Sequence, residues 1–100
     1  LLTPDAPFDL FLRGDLKALD TTRKKGLHLF MSKGCADCHM NMNIGGNGYY
    51  VFGVKKKPAP RYLPAKDHGR GAVLATIEKD YVFKAPSLRN VALTAPYFHT

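Results

Sequence analysis

The chain has 100 residues, of which 45% are hydrophobic, and its 15 basic and 8 acidic residues give a formal net charge of +7. A chain of this length forms one small domain or part of a larger one. It buries only about 60–65% of its unfolded surface, so a marginal core is expected. The sequence has no apolar stretch long enough to span a bilayer, and its first four residues lack the basic start and apolar run of a signal peptide.

Residues 1–19 combine prolines and Gly14 with apolar side chains, and they are predicted to be a lead-in segment that packs on a neighbouring element. A helix is predicted from an N-cap cluster at residues 20–22 to about Lys33, where Gly34 ends it. One face of this helix carries Leu27, Phe30 and Met31, and core packing is predicted for Met31. His28 lies off that face, so it is predicted to be a surface histidine.

The segment Cys35-Ala36-Asp37-Cys38-His39 follows at once and reads Cys-x-x-Cys-His, the attachment signature of a c-type haem. The two thiols can add to the haem vinyl groups as thioethers, and His39 can bind the iron from one side. A thioredoxin-like redox pair and half of a zinc site are the competing interpretations. A helical pattern rather than a strand precedes the motif, however, and no further cysteine exists for zinc. The prediction is a covalent haem c, which is attached outside the cytoplasm and therefore indicates a periplasmic location.

Four glycines within residues 41–53 exclude a stable helix there, and the aromatic side chains of that segment indicate a loop over the haem edge. A phosphate-binding loop is the competing interpretation, but neither glycine-rich nucleotide motif fits. Three prolines predict an extended segment over 55–65, which begins with three lysines. A solvated face is the first interpretation of the basic charge, a docking patch for an acidic redox partner is the second, and nucleic acid is the third.

A turn is predicted over residues 66–71, followed by an element of uncertain type over 73–80. Residues 86–93 predict a short helix with a proline in its first turn, which residues 94–96 end.

Beyond the haem motif, the sequence resembles the bacterial di-haem cytochrome c peroxidases, a family that also includes the methylamine-utilisation haem enzymes. The matching segments are Lys33-Gly34-Cys35 with Cys38-His39, Gly45-Gly46, Asp67-His68-Gly69-Arg70, and residues 83–99. The resemblance covers nearly the whole chain and corresponds to the C-terminal haem domain. The predicted fold is an all-α, cytochrome c-like haem domain over residues 20–100, incomplete at its C-terminus, after the lead-in segment 1–19.

The resemblance implies a division of labour between two haems. The N-terminal haem reduces peroxide, and the C-terminal haem takes electrons from a small carrier and passes them on. A calcium ion between the two domains is also implied, with the backbone carbonyls of Thr94 and Pro96 as ligands, since hard oxygen ligands suit calcium. The alternative, that Thr94 and Pro96 only end a helix, stays open.

The distal iron ligand is where the sequence departs from the pattern, since electron-transfer haems usually take methionine opposite histidine. Three residues from His39 to Met42 span at most about 10 Å, too short to pass around the ring, and Met40 is closer still. In the resembling family the distal ligand lies after the Tyr-Phe-His block, so this chain is expected to be a fragment. His68 and His99 are the histidines far enough along the chain to reach the iron, but a turn or surface position is predicted for each.

The site prediction is therefore haem attachment by Cys35 and Cys38 with His39 as the proximal ligand. Arg70 and Arg89 are candidates to pair with the haem propionates, against the alternative that both are simply exposed. No catalytic residue is expected in this chain.

The predicted function is electron entry in a di-haem peroxidase that reduces hydrogen peroxide to water with electrons from a small cytochrome c or copper protein. The N-terminal haem domain of the same enzyme is the expected partner, a homodimer is among the expected assemblies, and neither nucleic acid nor a membrane span is expected. A free-standing mono-haem cytochrome c and a methylamine-type haem oxidase are the alternatives.

Overall fold

The computed structural model of the chain describes residues 3–75 and 80–97. Two compact units make up the chain, Leu1–Asp37 and Cys38–Thr100. In chain order the elements are helix α1 (Pro7–Leu12), helix α2 (Thr21–Ser32), strand β1 (Tyr49–Val51), helix α3 (Arg70–Leu74) and strand β2 (Val82–Lys84), with 3₁₀ turns at Cys35–Asp37, Pro60–Tyr62 and Val91–Leu93. Within the described ranges, no helix combines the length and apolarity needed to cross a bilayer.

The first unit contains helices α1 and α2. Helix α1, which the sequence analysis did not anticipate, begins at a proline, where the missing N–H removes no helical hydrogen bond. Helix α2 lies where the sequence predicts it. Its predicted cap is also present, since the Asp20 side chain accepts a hydrogen bond of 2.8 Å from the Arg23 N–H. His28 is exposed on this helix, as predicted.

The second unit is organised around an antiparallel pair of strands, so the predicted all-α fold is wrong. Strands β1 and β2 pair with Tyr50 opposite Phe83 and Val51 opposite Val82. The ring of Phe83 also meets that of Phe52 edge to face, with centroids 6.3 Å apart. Strand β1 consists of aromatic and β-branched residues, and strand β2 has Val82 and Phe83 before Lys84. Such residues favour a pleated, half-buried surface.

The predicted helix over residues 86–93 is also wrong, because only Val91–Leu93 forms a 3₁₀ turn. A helix would use the Pro86 carbonyl internally, but this oxygen lies 3.1 Å from the His39 Nδ1 instead. The Leu88 N–H donates to the Ile44 carbonyl at 3.2 Å, and Asn90 adopts a left-handed conformation with φ +58°. Helix formation here would leave these partners unsatisfied, so the tertiary pairing overrides the local pattern.

Residues 66–71 contain the predicted turn, in which the Asp67 carboxylate accepts a hydrogen bond of 2.9 Å from the Gly69 N–H. Helix α3 follows directly and accounts for the start of the 73–80 element, while residues 76–79 lie outside the described part. The predicted extended segment over 55–65 is interrupted by the 3₁₀ turn at Pro60–Tyr62.

Little apolar surface is buried within the described residues. The buried hydrophobic residues there are Leu19, Val82 and Ala85, whereas many large apolar side chains are exposed. Met31 is 64% exposed, so the core packing predicted for it is wrong. Helix α2 has no buried residue at all. Exposed apolar surface of this extent is typical of a protein that binds a cofactor or another protein segment there.

Candidate haem site

Helix α2 ends immediately before the Cys-x-x-Cys-His motif. The Lys33 N–H still donates to the Leu29 carbonyl at 2.9 Å, which closes the last helical turn. Gly34 follows with φ +79°, the left-handed position at which helices commonly stop. The chain then enters the 3₁₀ turn Cys35–Asp37, and the Asp37 N–H donates back to the Gly34 carbonyl at 3.3 Å. The first cysteine is therefore on an ordered turn at the helix end.

Both cysteines carry free thiols. Cys35 is exposed, and Cys38 is half-buried. Addition to a haem vinyl group requires a sulfur that is reduced and that lies within reach of the porphyrin edge. Both thiols are reduced. The chain has no third cysteine that could compete for either of them.

The His39 imidazole is held by a backbone carbonyl 47 residues along the chain. Its Nδ1 lies 3.1 Å from the Pro86 oxygen. A carbonyl oxygen can only accept, so Nδ1 must be the protonated nitrogen and the donor of this hydrogen bond. The neutral ring then carries its lone pair on Nε2, the nitrogen that can bind a metal ion. Hydrogen bonds of this kind orient metal-binding histidines and fix their tautomer.

The Pro86 carbonyl is positioned by a ladder of backbone hydrogen bonds between residues 40–48 and residues 84–90. The Gly46 N–H donates to the Ala85 carbonyl at 2.7 Å, and the Ala85 N–H donates to the Gly48 carbonyl at 2.9 Å. These bonds flank Pro86 on its N-terminal side. The Leu88 N–H bond to the loop completes the ladder on the other side, so the carbonyl that meets His39 is held from both directions.

Two side chains strengthen this pairing, and we refer to Ser87 and Arg89 together as the clasp. The Ser87 hydroxyl donates to the Asn43 carbonyl at 2.6 Å and accepts from the Arg89 N–H at 3.2 Å. The Arg89 Nε donates to the Met42 carbonyl at 2.6 Å. The clasp therefore satisfies loop carbonyls that have no strand or helix to pair with.

Gly45 lies at the closest approach of the two segments. It is buried and has φ +136°, a conformation that side-chain-bearing residues rarely adopt. A Cβ atom at this position would overlap the Pro86 carbonyl and come within 3.2 Å of the His39 Nδ1. The glycine is therefore required for the loop to pass this close to the histidine.

The structure puts the two candidate arginines in different surroundings. The Arg70 guanidinium lies 4.9 Å over the Tyr49 ring, at an open cavity of about 360 Å³ that Lys84 also lines. The remaining walls of this cavity are largely apolar. Arg89 is half-buried in the clasp. A cationic group beside apolar walls can bind the carboxylate of an otherwise apolar molecule. Arg70 lies in such surroundings, whereas Arg89 is bonded to a loop carbonyl.

The remaining candidates from the sequence are His68, Thr94, Pro96 and His99. His68 is half-buried rather than exposed, with its Nδ1 3.4 Å from the Asp80 Oδ2 and its ring stacked on Tyr81 at 5.1 Å. The Thr94 hydroxyl donates to the Val91 carbonyl at 3.3 Å, and Pro96 follows a cis peptide bond. Within residues 3–75 and 80–97 no cluster of three or more metal-binding side chains is found. His99 lies outside the described residues.

Sequence reasoning missed the Pro86 carbonyl, Gly45 and Ser87 as parts of this site. It named Arg89 as a candidate partner of the haem propionates and did not predict its bond to the Met42 carbonyl. A backbone carbonyl has no signature in the sequence, since every residue carries one. The pairing of two segments more than 40 residues apart could be found only in three dimensions.

Comparison with known proteins identifies similar sequences. No family model matches the chain. The chain is 58% identical over 100 residues to the cytochrome c551 peroxidase of Pseudomonas aeruginosa, covering all of this chain and 29% of that protein. It is 46% identical over 99 residues to the cytochrome c peroxidase Ccp of Escherichia coli, covering 99% of this chain and 21% of that protein.

A second group of relatives carries a different name. The chain is 34% identical over 102 residues to the methylamine utilization protein MauG of Methylorubrum extorquens, covering 99% of this chain and 27% of that protein. Among solved structures, it matches the crystal structure of a MauG-like protein associated with microbial copper homeostasis, with a TM-score of 0.79, 26% identity, and coverage of 97% of this chain and 31% of that chain. The chain thus spans less than a third of the length of these relatives, and over nearly all of its own length it is similar to bacterial cytochrome c peroxidases and to MauG proteins.

Proposed function

We propose that this chain carries a covalent haem c, attached through Cys35 and Cys38, with the His39 Nε2 as the proximal iron ligand. The single observation that carries the proposal is the hydrogen bond between His39 Nδ1 and the Pro86 carbonyl. This bond leaves the lone pair on Nε2, which is the arrangement that a metal-binding histidine requires.

The residues present fit a haem in two further respects. The thiols are reduced, and Cys35 is exposed. The described part of the chain also leaves large apolar side chains such as Met31, Met42 and Leu29 uncovered. A flat apolar cofactor and the remaining two thirds of a longer protein would cover surface of this kind. Bound there, the haem supplies one-electron chemistry, and the role of this chain is to hold the group and orient its proximal ligand.

We further propose that the chain is the electron-entry haem domain, in C-terminal position, of a two-haem cytochrome c peroxidase. The whole enzyme would reduce one hydrogen peroxide to two waters with two protons and two electrons, the electrons coming from a small cytochrome c or copper protein. Support comes from the order of similarity, because relatives named cytochrome c peroxidase reach 58% identity and the MauG relative reaches 34%. Haem attachment through two thioethers is consistent with a periplasmic enzyme.

The proposal includes a propionate partner and a calcium site. Arg70 at the cavity beside Lys84 is the better candidate for a propionate partner, since the Arg89 Nε is already used by the Met42 carbonyl. The backbone carbonyls of Thr94 and Pro96 are proposed to hold calcium, because carbonyl oxygens are suitable ligands for that ion.

The test is a haem count on the full-length protein, from a pyridine haemochrome assay set against the intact mass. Two haems per polypeptide, each adding its mass covalently, together with peroxide reduction, are the expected result. His39→Ala should remove the axial ligand of one haem and change its Soret band. His28→Ala, at an exposed histidine on helix α2, should leave the spectrum unchanged and is the matched control.

Three results would contradict the proposal in different ways. One haem per full-length chain would favour the mono-haem carrier. A protein that binds two haems but oxidises side chains of a partner protein rather than a small redox donor would favour the MauG-type oxidase. A Soret spectrum that does not respond to His39→Ala would remove the proximal ligand assignment.

A further inference from the structure

The net charge of the chain is concentrated in its second unit. Residues 38–100 contain nine basic and three acidic residues, whereas residues 1–37 contain six and five. The stretch from residue 38 to residue 66 has no acidic residue at all. Its cations are Lys55, Lys56, Lys57, Arg61 and Lys66. We refer to residues 54–62, which carry four of these cations, as the basic loop.

The basic loop presents its charges to solvent. Lys55, Lys56, Lys57 and Arg61 are all exposed. The ion pairs of the described residues involve Arg13, Arg23 and His68, and none of them includes a cation of the basic loop. Like charges at adjacent positions repel one another, and the carboxylates of a bound partner would offset this repulsion.

The backbone of the loop is ordered at both ends. Before it, the Phe52 N–H donates to the Tyr81 carbonyl at 2.8 Å. Gly53 then turns the chain with φ +85°, and a Cβ there would come within 2.6 Å of the Lys56 carbonyl. After the lysines, the Leu63 N–H donates to the Pro60 carbonyl at 3.0 Å. Three consecutive lysines are therefore held on a tight loop, and little backbone order has to be gained when a partner binds.

Apolar and aromatic groups are mixed with the charges. Val54 is 66% exposed and Tyr62 is 57% exposed. The Arg61 guanidinium lies 4.6 Å over the Tyr62 ring, and it also donates to the Tyr62 hydroxyl at 3.1 Å. Tyrosine and arginine are enriched at the centres of protein interfaces. A stacked arginine is also preorganised, which lowers the entropy lost when it forms a hydrogen bond with a partner.

We infer that the basic loop is the docking surface for an acidic redox protein, the electron donor of the proposed function, on which this inference rests. The carboxylates of the donor would face the lysines, while Val54 and Tyr62 supply a small apolar contact. Electron-transfer encounters bury little surface, and complementary charge raises their association rate rather than their lifetime. A compact cluster of unpaired lysines around a small apolar patch has the properties that such an encounter requires.

The test compares two triple variants of the full-length protein. The first removes the loop charges with Lys55→Gln, Lys56→Gln and Lys57→Gln. The matched control, Lys17→Gln, Lys24→Gln and Lys25→Gln, removes three exposed lysines of the first unit. Both variants lose three positive charges, so any difference between them reports the position of the charge and not its total.

The measured quantity is the rate constant for haem reduction by reduced plastocyanin, a small acidic copper protein, as a function of ionic strength. The loop variant is expected to react about tenfold more slowly at low salt, the lower end of the range over which electrostatic steering acts. The control should change less than about twofold, and the loop effect should shrink at 0.15 M salt, where the Debye length is about 8 Å. A basic cytochrome c as donor should not lose rate in the loop variant.

Equal effects of the two triple variants would overturn the inference, and so would a rate independent of salt. Lysine acetylation of the full-length protein gives a second readout, because a loop covered by another part of the enzyme would leave its lysines unreactive and remove the docking surface. If the loop variant lost binding to phosphatidylglycerol vesicles but kept its rate of haem reduction by plastocyanin, the loop would be assigned to a membrane surface instead. Failure of the proposed function is distinguishable, since it would appear as absent haem or absent peroxide turnover with a small-molecule reductant.

Discussion

Replacement of Ser87 by alanine tests whether the clasp holds the segment that orients His39. The Ser87 hydroxyl makes two hydrogen bonds, one donated to the Asn43 carbonyl and one accepted from the Arg89 N–H. Each is worth about 0.5–1.5 kcal/mol net in a folded protein. Ser87 is exposed, so water can replace part of both, and we expect a loss of about 1 kcal/mol in the local stability of the paired segments.

Amide hydrogen exchange on the full-length protein is the appropriate assay, because a multidomain haem protein does not unfold in a single two-state step. A loss of about 1 kcal/mol corresponds to about fivefold faster exchange through local opening. The increase should appear in peptides that contain the Gly46 and Leu88 amides, which donate across the two segments. A small shift of the haem absorption should accompany it, since the Pro86 carbonyl would hold the His39 imidazole less firmly.

Ser32→Ala is the matched control for this variant. Ser32 is exposed at the end of helix α2, and its hydroxyl donates to the Leu29 carbonyl at 3.4 Å. The chemical change is the same, but residues 40–48 and 84–90 should keep their exchange rates. Unchanged exchange in the Ser87→Ala protein, or equal changes in both variants, would refute the argument that the clasp stabilises this pairing.

Two further predictions concern backbone conformation and helix capping. Gly45→Ala should prevent stable haem loading or lower the melting temperature sharply, because a Cβ would overlap the Pro86 carbonyl. The control Gly26→Ala has nothing within 4 Å of the new Cβ and should stabilise helix α2 by about 0.5–1 kcal/mol. A Gly45→Ala protein that loads haem and melts normally would mean that the loop does not approach the histidine this closely. Asp20→Ala should lower the local stability of helix α2 by about 1 kcal/mol, because it removes the acceptor for the Arg23 N–H, and Asp20→Asn should keep most of that stability. The measurement is amide hydrogen exchange in the first turn of the helix. Equal exchange in the two Asp20 variants would show that the cap contributes nothing.

The parts of the fold that the sequence predicted correctly are set by local chemistry. Helix α2 begins directly after Asp20 because the carboxylate of that residue caps it, and it ends before Gly34 because glycine readily adopts a positive φ. The absence of a helix in residues 41–53 follows in the same way from the glycines there. The similarity to cytochrome c peroxidases and MauG proteins could also be predicted from the sequence, because the matching segments cover nearly the whole chain.

The wrong predictions arose where distant segments compete with local preference. Residues 86–93 have the pattern of a helix, but the Leu88 N–H donates to the Ile44 carbonyl and the Pro86 carbonyl is bonded to the His39 imidazole. The all-α prediction is wrong at residues 49–51 and 82–84, which form strands because the two segments pair across the fold. Strand propensity favours such a pairing but does not decide which backbone groups meet.

The sequence by itself determined the chemistry of this protein: two thiols and an imidazole at fixed spacing, a capped helix that leads to them, and a cluster of lysines without acidic neighbours. Only the tertiary structure decided which imidazole nitrogen can face a metal, because that depends on the Pro86 carbonyl, 47 residues away. The physical reason is that covalent spacing is fixed along the chain, whereas a hydrogen bond between distant segments exists only after the loop, Gly45 and the clasp have brought them together.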